Sequence, residues 1–209
     1  MPIKNIIFDL SGVLIDDVKE VYSGYMHLFR LHKIKKITLQ QFKDQFILPY
    51  YIFMKKYLPN KKIAELKKQY YEFYNKQNYK PKPFKQVKPV LEFLKKKKIK
   101  MIVLSAKRQV FVEKELQQFS LKKYFTAIYG SVKDKAKVIN KILKKHKFNP
   151  KETAYVGDMV HDINAGKAGK VTTIAVLTGY QSKKKLKNAN PNYIINNLLE
   201  LKKLIQHSS

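Results

Sequence analysis

The stretch Ile6-Ile7-Phe8-Asp9-Leu10-Ser11-Gly12-Val13-Leu14 carries the first clue to the fold. Three consecutive apolar residues read as a short buried strand, and the strand ends on a carboxylate that leads into a glycine-containing loop. In open parallel sheets, ligands bind just beyond the carboxyl ends of the strands. Asp9 therefore faces the expected crevice and is a candidate nucleophile; the competing reading is that it only caps a turn. A second acidic cluster also follows an apolar run, Val156-Gly157-Asp158-Met159-Val160-His161-Asp162. Two distant strand ends thus present acids.

Around these points short apolar runs recur: Ile3–Leu10, Met101–Leu104, Ala127–Tyr129, Ala154–Val156 and Thr173–Leu177. They are rich in Ile and Val, as strands covered on both faces are. Helical patterns separate them. Pro89 is expected to open one helix, and others are predicted over Val110–Phe119, Lys137–Lys147, Asp162–Ala168 and Leu198–Ile205. Strands alternating with helices predict an α/β fold built on a parallel sheet.

The segment 17–80 differs in character, being rich in aromatic residues and lysine. Val18, Val21, Tyr22, Tyr25, Met26 and Phe29 form one helical stripe, and Ile63, Leu66, Tyr70, Phe73 and Tyr74 another. Thr38-Leu39-Gln40-Gln41 has the pattern of a capping box, with Phe42 and Phe46 expected to point inward. The organisation predicted is a small helical cap, residues 17–80, inserted into a core made of residues 1–16 and 81–209. The tyrosines of these stripes are expected to pack between cap helices, with a pocket lining as the lesser reading.

The 209 residues include 44 Lys and Arg against 15 Asp and Glu, a net charge of +29, and no cysteine. Such an excess permits polyanion partners. Arg30 and Arg108 are the only arginines, however, and the lysines are spread through every segment, so nucleic acid is not the favoured partner. Runs such as Lys95-Lys96-Lys97-Lys98 and Lys183-Lys184-Lys185 read as solvated surface. The lack of cysteine excludes disulfides, thiolate nucleophiles and cysteine-based metal sites. No segment reads as a signal peptide, and none approaches the ~20 apolar residues of a membrane span, so a soluble cytoplasmic protein is expected.

Ser105 follows Met101–Leu104 and precedes helical residues, so its hydroxyl and nearby backbone N–H groups are expected at a helix N-terminus, a natural anion site. A serine there is equally a plain N-cap. Asp158 and Asp162 lie one helical turn apart, which also suits an exposed first turn favoured by the helix dipole. Taken in order, Asp9, Ser105, the stretch Lys135-Ala136-Lys137-Val138-Ile139 and Gly157-Asp158-Met159-Val160-His161-Asp162 resemble the four motifs of the haloacid dehalogenase-like hydrolases. The resemblance covers residues 4–14 and about 88–205; the cap matches by position and helical character.

The resemblance implies a Rossmann-like core with a helical cap of the C1 type and a phosphatase acting on a small phosphomonoester. It implies Asp9 as the nucleophile that forms an aspartyl-phosphate, with Ser105, Ala106 and a lysine binding the phosphoryl group. Lys135 is the lysine chosen, with Lys133 and Lys137 as rivals. It further implies Mg²⁺, held by Asp9, the backbone carbonyl of Ser11 and Asp158, with Asp162 supporting the site from behind. His161 has no family role and is expected to face solvent or substrate.

The chain departs from the pattern at Ser11, where the family's phosphatases usually carry a second aspartate that moves protons. A serine hydroxyl titrates far outside the working range, and losing such a group typically costs ~10²–10⁴-fold in rate. Three outcomes follow: a phosphatase that acts slowly, favours good leaving groups or borrows a proton donor from substrate or cap; a phosphate-binding regulatory protein without turnover; or a 2-haloacid dehalogenase. The intact pair Asp158 and Asp162 argues against the last.

Overall fold

The computed structural model describes residues 2–76 and 81–207. Its first half runs β1 (Asn5–Phe8), β2 (Ile15–Asp16), α1 (Val18–Leu31), α2 (Leu39–Gln45), α3 (Tyr50–Tyr57), α4 (Ile63–Lys76), β3 (Lys82–Pro83), α5 (Val87–Lys96) and β4 (Lys100–Leu104). There follow α6 (Gln109–Gln118), β5 (Ala127–Tyr129), α7 (Lys135–His146), β6 (Thr153–Gly157), α8 (Val160–Ala168), β7 (Thr172–Val176), α9 (Lys183–Asn188), β8 (Tyr193–Ile195) and α10 (Leu199–His207).

Six strands form one sheet in the order β5-β4-β1-β6-β7-β8, and every pairing in it is parallel. The alternation of side chains explains why the strands are apolar throughout. Ile6 and Phe8 of β1, Met101 and Val103 of β4, and Ala154 and Val156 of β6 join one cluster with Val90 of α5, Val112 of α6 and Leu201 of α10. Ile7, Ile102, Leu104 and Tyr155 point the other way and pack on Ile139, Ile142 and Leu143 of α7. Both faces are covered, so neither can be polar. The expected α/β class and parallel sheet are what is observed.

The sheet's central strands β1 and β6 are neighbours, paired Phe8 to Val156, so Asp9 and Asp158 leave adjacent strand ends. β1 is shorter than expected because the backbone turns at Asp9: Leu10 N–H donates to Asp9 Oδ1 at 2.7 Å, and Ile15 N–H returns to Leu10 O at 2.9 Å. α5 begins at Val87, two residues before Pro89; proline is tolerated in a first turn, where its missing N–H has no intrahelical partner. α7 starts at Lys135, capped by the Asp134 side chain on Lys137 N–H, and α8 at Val160. β2, β3, α3, α9 and β8 were not anticipated as elements.

Helices α1 to α4 are inserted between β2 and β3, which pair antiparallel and close the insertion at its base. The expected end of the insertion at Lys80 lies outside the described residues. The inserted helices have their own apolar cluster, centred on Tyr25, Phe42, Phe46 and Phe53, which also takes in Met159 and Tyr180 from the loops at the carboxyl ends of the sheet. The capping box at Thr38 forms in full, and Phe42 and Phe46 are buried. Lys95 to Lys98 are exposed as expected, whereas Lys185 turns inward, its Nζ donating to Asp44 O at 3.1 Å. No helix among the described residues is long and apolar enough to cross a membrane.

Candidate active site

β1 and β6, with the first turns of α7 and α8, converge on one buried point. Carboxylate oxygens of Asp9, Asp158 and Asp162 all lie within 4.8 Å of one another. Between two of them stands Lys135, fully buried, with Nζ 2.9 Å from Asp9 Oδ1 and 2.7 Å from Asp162 Oδ1. Lys135 is the first residue of α7, and the Asp134 cap fixes where that helix begins. Lys133 and Lys137 are exposed, and Lys137 pairs with Asp134 at 3.5 Å. Burial thus separates one lysine from its rivals.

Each acid is held differently. Both bonds that Asp9 accepts, from Leu10 N–H and Lys135, land on Oδ1; among the described residues nothing engages Oδ2, and Asp9 lines an open cavity. Asp158 Oδ2 accepts Tyr180 N–H at 2.6 Å, while its buried Oδ1 has no partner among the described residues. Asp162 is committed on both oxygens, Oδ1 to Lys135 and the Tyr155 hydroxyl, Oδ2 to Met159 N–H. It therefore positions Lys135 and the start of α8.

Burial raises the Asp9 carboxyl to about 7, against the downward pull of Lys135 and with a further upward push from Asp162. Asp158 is pushed well up by burial first, then by the charges of Asp162 and Asp9. For Lys135 burial works downward, but Asp162 and Asp9 outweigh it and hold the ammonium well above its ordinary value. Three acids around one buried cation leave an excess of negative charge. An all-oxygen donor set with an orphaned carboxylate oxygen suits a hard divalent cation such as Mg²⁺.

A pH-dependent stability follows, with its sign set by those shifts. Acids whose folded pKa lies above the unfolded value make the folded state the tighter proton binder, so stability is lost as pH rises from about 4 through about 7. Mg²⁺ at about 100 times its Kd should add roughly 2.7 kcal/mol, or about 5–10 °C in Tm for a chain of this size. The gain should be larger at pH 8 than at pH 5.5. Thermal unfolding with Mg²⁺ and with EDTA at both values checks this; equal shifts at both would contradict it.

Ser105 is buried and lines the same cavity with Ala106, beyond the end of β4. It is not at a helix N-terminus as expected: α6 starts only at Gln109, and the Ser105 hydroxyl accepts Lys107 N–H at 3.2 Å in a local turn. The chain first has to pass from the β5 side of the sheet, where Ser105 N–H bonds Tyr129 O and Ser131 N–H bonds Lys107 O. His161 does not line the cavity and is only partly open to solvent. It is half-buried, with Nε2 sealed and unpartnered among the described residues.

Two features were not found from sequence. Asp17 is buried, and its carboxylate accepts the Ser11 hydroxyl at 2.6 Å, the Tyr180 hydroxyl at 3.0 Å and Lys107 Nζ at 3.3 Å. It stands at the N-cap position of α1 yet makes no side-chain cap bond, because those partners take both oxygens. The other feature is the loop 177–181 after β7. Tyr180 joins Asp158 to Asp17, Gln181 Nε2 donates to Phe46 O at 3.0 Å, and the Thr178 hydroxyl donates to Gly12 O at 2.7 Å.

Two glycines make room for Asp158. Gly12 has φ +74°, and a Cβ there would lie 2.5 Å from Asp158 Oδ2. A Cβ on Gly179 would lie 1.9 Å from the same oxygen. Gly179→Ala should therefore displace Asp158, costing about 1–3 kcal/mol as overpacking does and weakening Mg²⁺ binding. A Mg²⁺ titration followed by thermal shift checks both, and an unchanged midpoint would count against the role given to Asp158.

The family model for haloacid dehalogenase-like hydrolases matches residues 6–176. Among curated relatives, a phosphoglycolate phosphatase from Aquifex aeolicus is 28% identical, covering 97% of this chain and 96% of its own length. The pyrophosphatase PpaX of Bacillus mycoides is 25% identical, covering 96% of each. Among solved structures, a haloacid dehalogenase-like family hydrolase from Streptococcus pneumoniae superposes with a TM-score of 0.86 at 22% identity, over 98% of this chain and 99% of that one. With its acids gathered at the strand ends and a match running from β1 to β7, this chain belongs to the haloacid dehalogenase-like hydrolases.

Proposed function

We propose that the protein is a Mg²⁺-dependent phosphatase of a small phosphomonoester, working through an aspartyl-phosphate on Asp9. The observation that carries this reading is the state of Asp9: one oxygen pinned by Lys135 and Leu10 N–H, the other free at the wall of a cavity. In the first half-reaction Asp9 Oδ2 bonds to phosphorus as the P–O bond to the ester oxygen breaks, and that oxygen takes a proton from solvent; in the second, water attacks phosphorus, gives up a proton to solvent, and displaces the carboxylate as phosphate leaves. Lys135 holds the attacking carboxylate in place and offsets charge on the phosphoryl oxygens, with Ser105 and Ala106 at the same cavity to bind them. Asp9, the Ser11 carbonyl and Asp158 would hold Mg²⁺, which supplies charge neutralisation in phosphoryl transfer. Asp162 supports them through Lys135.

Residues 17–80 act in this reading as the cap, and 1–16 with 81–209 as the core. The joined cluster of Tyr25, Phe46, Met159 and Tyr180 supports a cap seated over the acids. The relatives, named phosphatases of small anionic compounds, support phosphoryl chemistry over dehalogenation. Steady-state hydrolysis of phosphomonoesters in Mg²⁺ and in EDTA, for wild type and Asp9→Asn, tests it. Turnover should need both the metal and Asp9. Turnover that survives either removal would overturn the mechanism, and Mg²⁺ and phosphate binding without any turnover would favour the regulatory reading that Ser11 leaves open.

A further inference from the structure

The cavity that begins at Asp9, Ser11 and Ser105 has a volume of about 320 Å³ and continues beneath α4 to the face of α6. Much of its lining is aromatic, including Tyr50, Tyr70, Tyr71, Tyr74 and Phe111. Of the stripe tyrosines of α4, Tyr70 packs between helices as expected, its ring 5.6 Å from that of Tyr25 in α1, and both Tyr70 and Tyr74 also line this space. They are arranged as a set. Tyr70 meets Tyr71 edge to face at 5.4 Å and 87°, stacks with Tyr74 at 5.9 Å and 18°, and Tyr71 reaches Phe111 across the cleft at 6.3 Å. The inserted helices and the core thus meet through rings.

The charged residues of the lining differ in exposure. Exposed Arg108, its guanidinium 5.2 Å over the Phe111 ring, and exposed Lys133 lie on the outer lining and suit capture of a phosphate dianion. Inside, Asp17 and Glu115 share the one ammonium of Lys107, at 3.3 and 2.6 Å, leaving that trio with a net negative charge beside the rings. Half-buried Lys67, its ammonium 5.7 Å over the Tyr50 ring, belongs to the same lining; beside the Lys107 trio a leaving group's own carboxylate or second phosphate would meet acids. A planar ring would meet edges and faces that aromatic pairs prefer.

We infer that the leaving group this site accepts is a single aromatic ring system, so that the substrate is an arylalkyl or aryl phosphomonoester, unlike the small polyanions for which the relatives are named. This rests on the phosphatase reading for its chemistry and on the wall of the cavity for its specificity. The volume, at the low end of the ~300–1,000 Å³ of ligand pockets, fits a phosphoryl group with one ring system.

The test compares 2-phenylethyl phosphate with ethyl phosphate, two primary-alcohol leaving groups that differ only in the ring, together with the corresponding non-hydrolysable phosphonates in calorimetric titrations with Mg²⁺. Burial of a phenyl group is expected to favour the ring-bearing ester in kcat/KM, and its phosphonate in affinity, by about 10- to 100-fold. Tyr71→Ala and Phe111→Ala should each collapse that ratio several-fold. Equal affinities for the two phosphonates, or tighter binding of ethylphosphonate, overturn the inference even if both esters turn over in an Asp9-dependent way. Ring-selective phosphonate binding with no turnover of either ester upholds it and overturns the catalytic reading instead; no binding of either phosphonate overturns both.

Discussion

Lys135→Met should lower the stability of the metal-free protein by about 3–5 kcal/mol, the usual loss when one partner of a buried ion pair is removed. That corresponds to roughly 10 °C in Tm for a chain of this length. Methionine keeps most of the volume and removes only the ammonium, so the loss measures charge and not a cavity. Asp9 and Asp162 would then face each other with no cation between them. Their carboxyls must take up protons to stay buried, so the loss should be greatest at pH 8 and shrink toward pH 5. Lys137→Met is the control, since its exposed pair with Asp134 is worth under about 1 kcal/mol. Thermal unfolding in EDTA at both pH values decides the matter; a loss below about 1 kcal/mol for Lys135→Met, or an equal loss for Lys137→Met, would remove Lys135 from the centre of the site.

That contrast also shows what the chain discloses before folding. Lys133, Lys135 and Lys137 are equivalent as letters, because the same side chain serves as solvated surface and as buried counter-ion. Only the helix start fixed by Asp134, and the packing of α7 on β6, turn one of them inward. The strands that carry Asp9 and Asp158 were legible because a strand covered on both faces has no polar option. β8 was not, since Tyr193-Ile194-Ile195 is three residues long and begins with an exposed tyrosine at the sheet edge. The β2–β3 pair was hidden for another reason: its two halves are separated by the whole inserted segment.

The helical stripes show the limit of periodicity. The stripes of α1 and α2 bury Tyr25, Met26, Phe29, Phe42 and Phe46 as read, yet Val21 and Tyr25 also line the cavity, as do Tyr70 and Tyr74 of α4, a helix that buries only Leu66 fully. A stripe specifies a helix face and says nothing of whether that face meets protein or an open space. Asp17 had a readable signal, an acid at the start of a helix, which N-cap preference explains well enough to conceal anything else. What distinguishes it is a bond it does not make.

The pair Ser11 and Asp17 supports the last expected result. Read alone, the sequence suggests restoring the missing carboxylate with Ser11→Asp. The structure puts that new carboxylate against the buried one of Asp17, which the Ser11 hydroxyl now bonds at 2.6 Å. Two carboxyls that close cannot both ionise, so one must hold a proton, and the gain in activity should be small and the fold weakened by about 1–3 kcal/mol. Exchanging both, Ser11→Asp with Asp17→Ser, keeps a hydroxyl-to-carboxylate bond with its direction reversed and moves the acid two residues from the nucleophile. Lys107 retains Glu115 at 2.6 Å, so the exchange leaves it paired. The double variant should hydrolyse phosphomonoesters about 10²–10⁴-fold faster than wild type, the range that a positioned acid–base group supplies. Asp17→Ser alone should bring no such gain. The cycle of four proteins should therefore be strongly non-additive in both stability and rate, as contacting residues are. Additive effects, or a double variant no faster than wild type, would mean that Ser11 and Asp17 do not share one role.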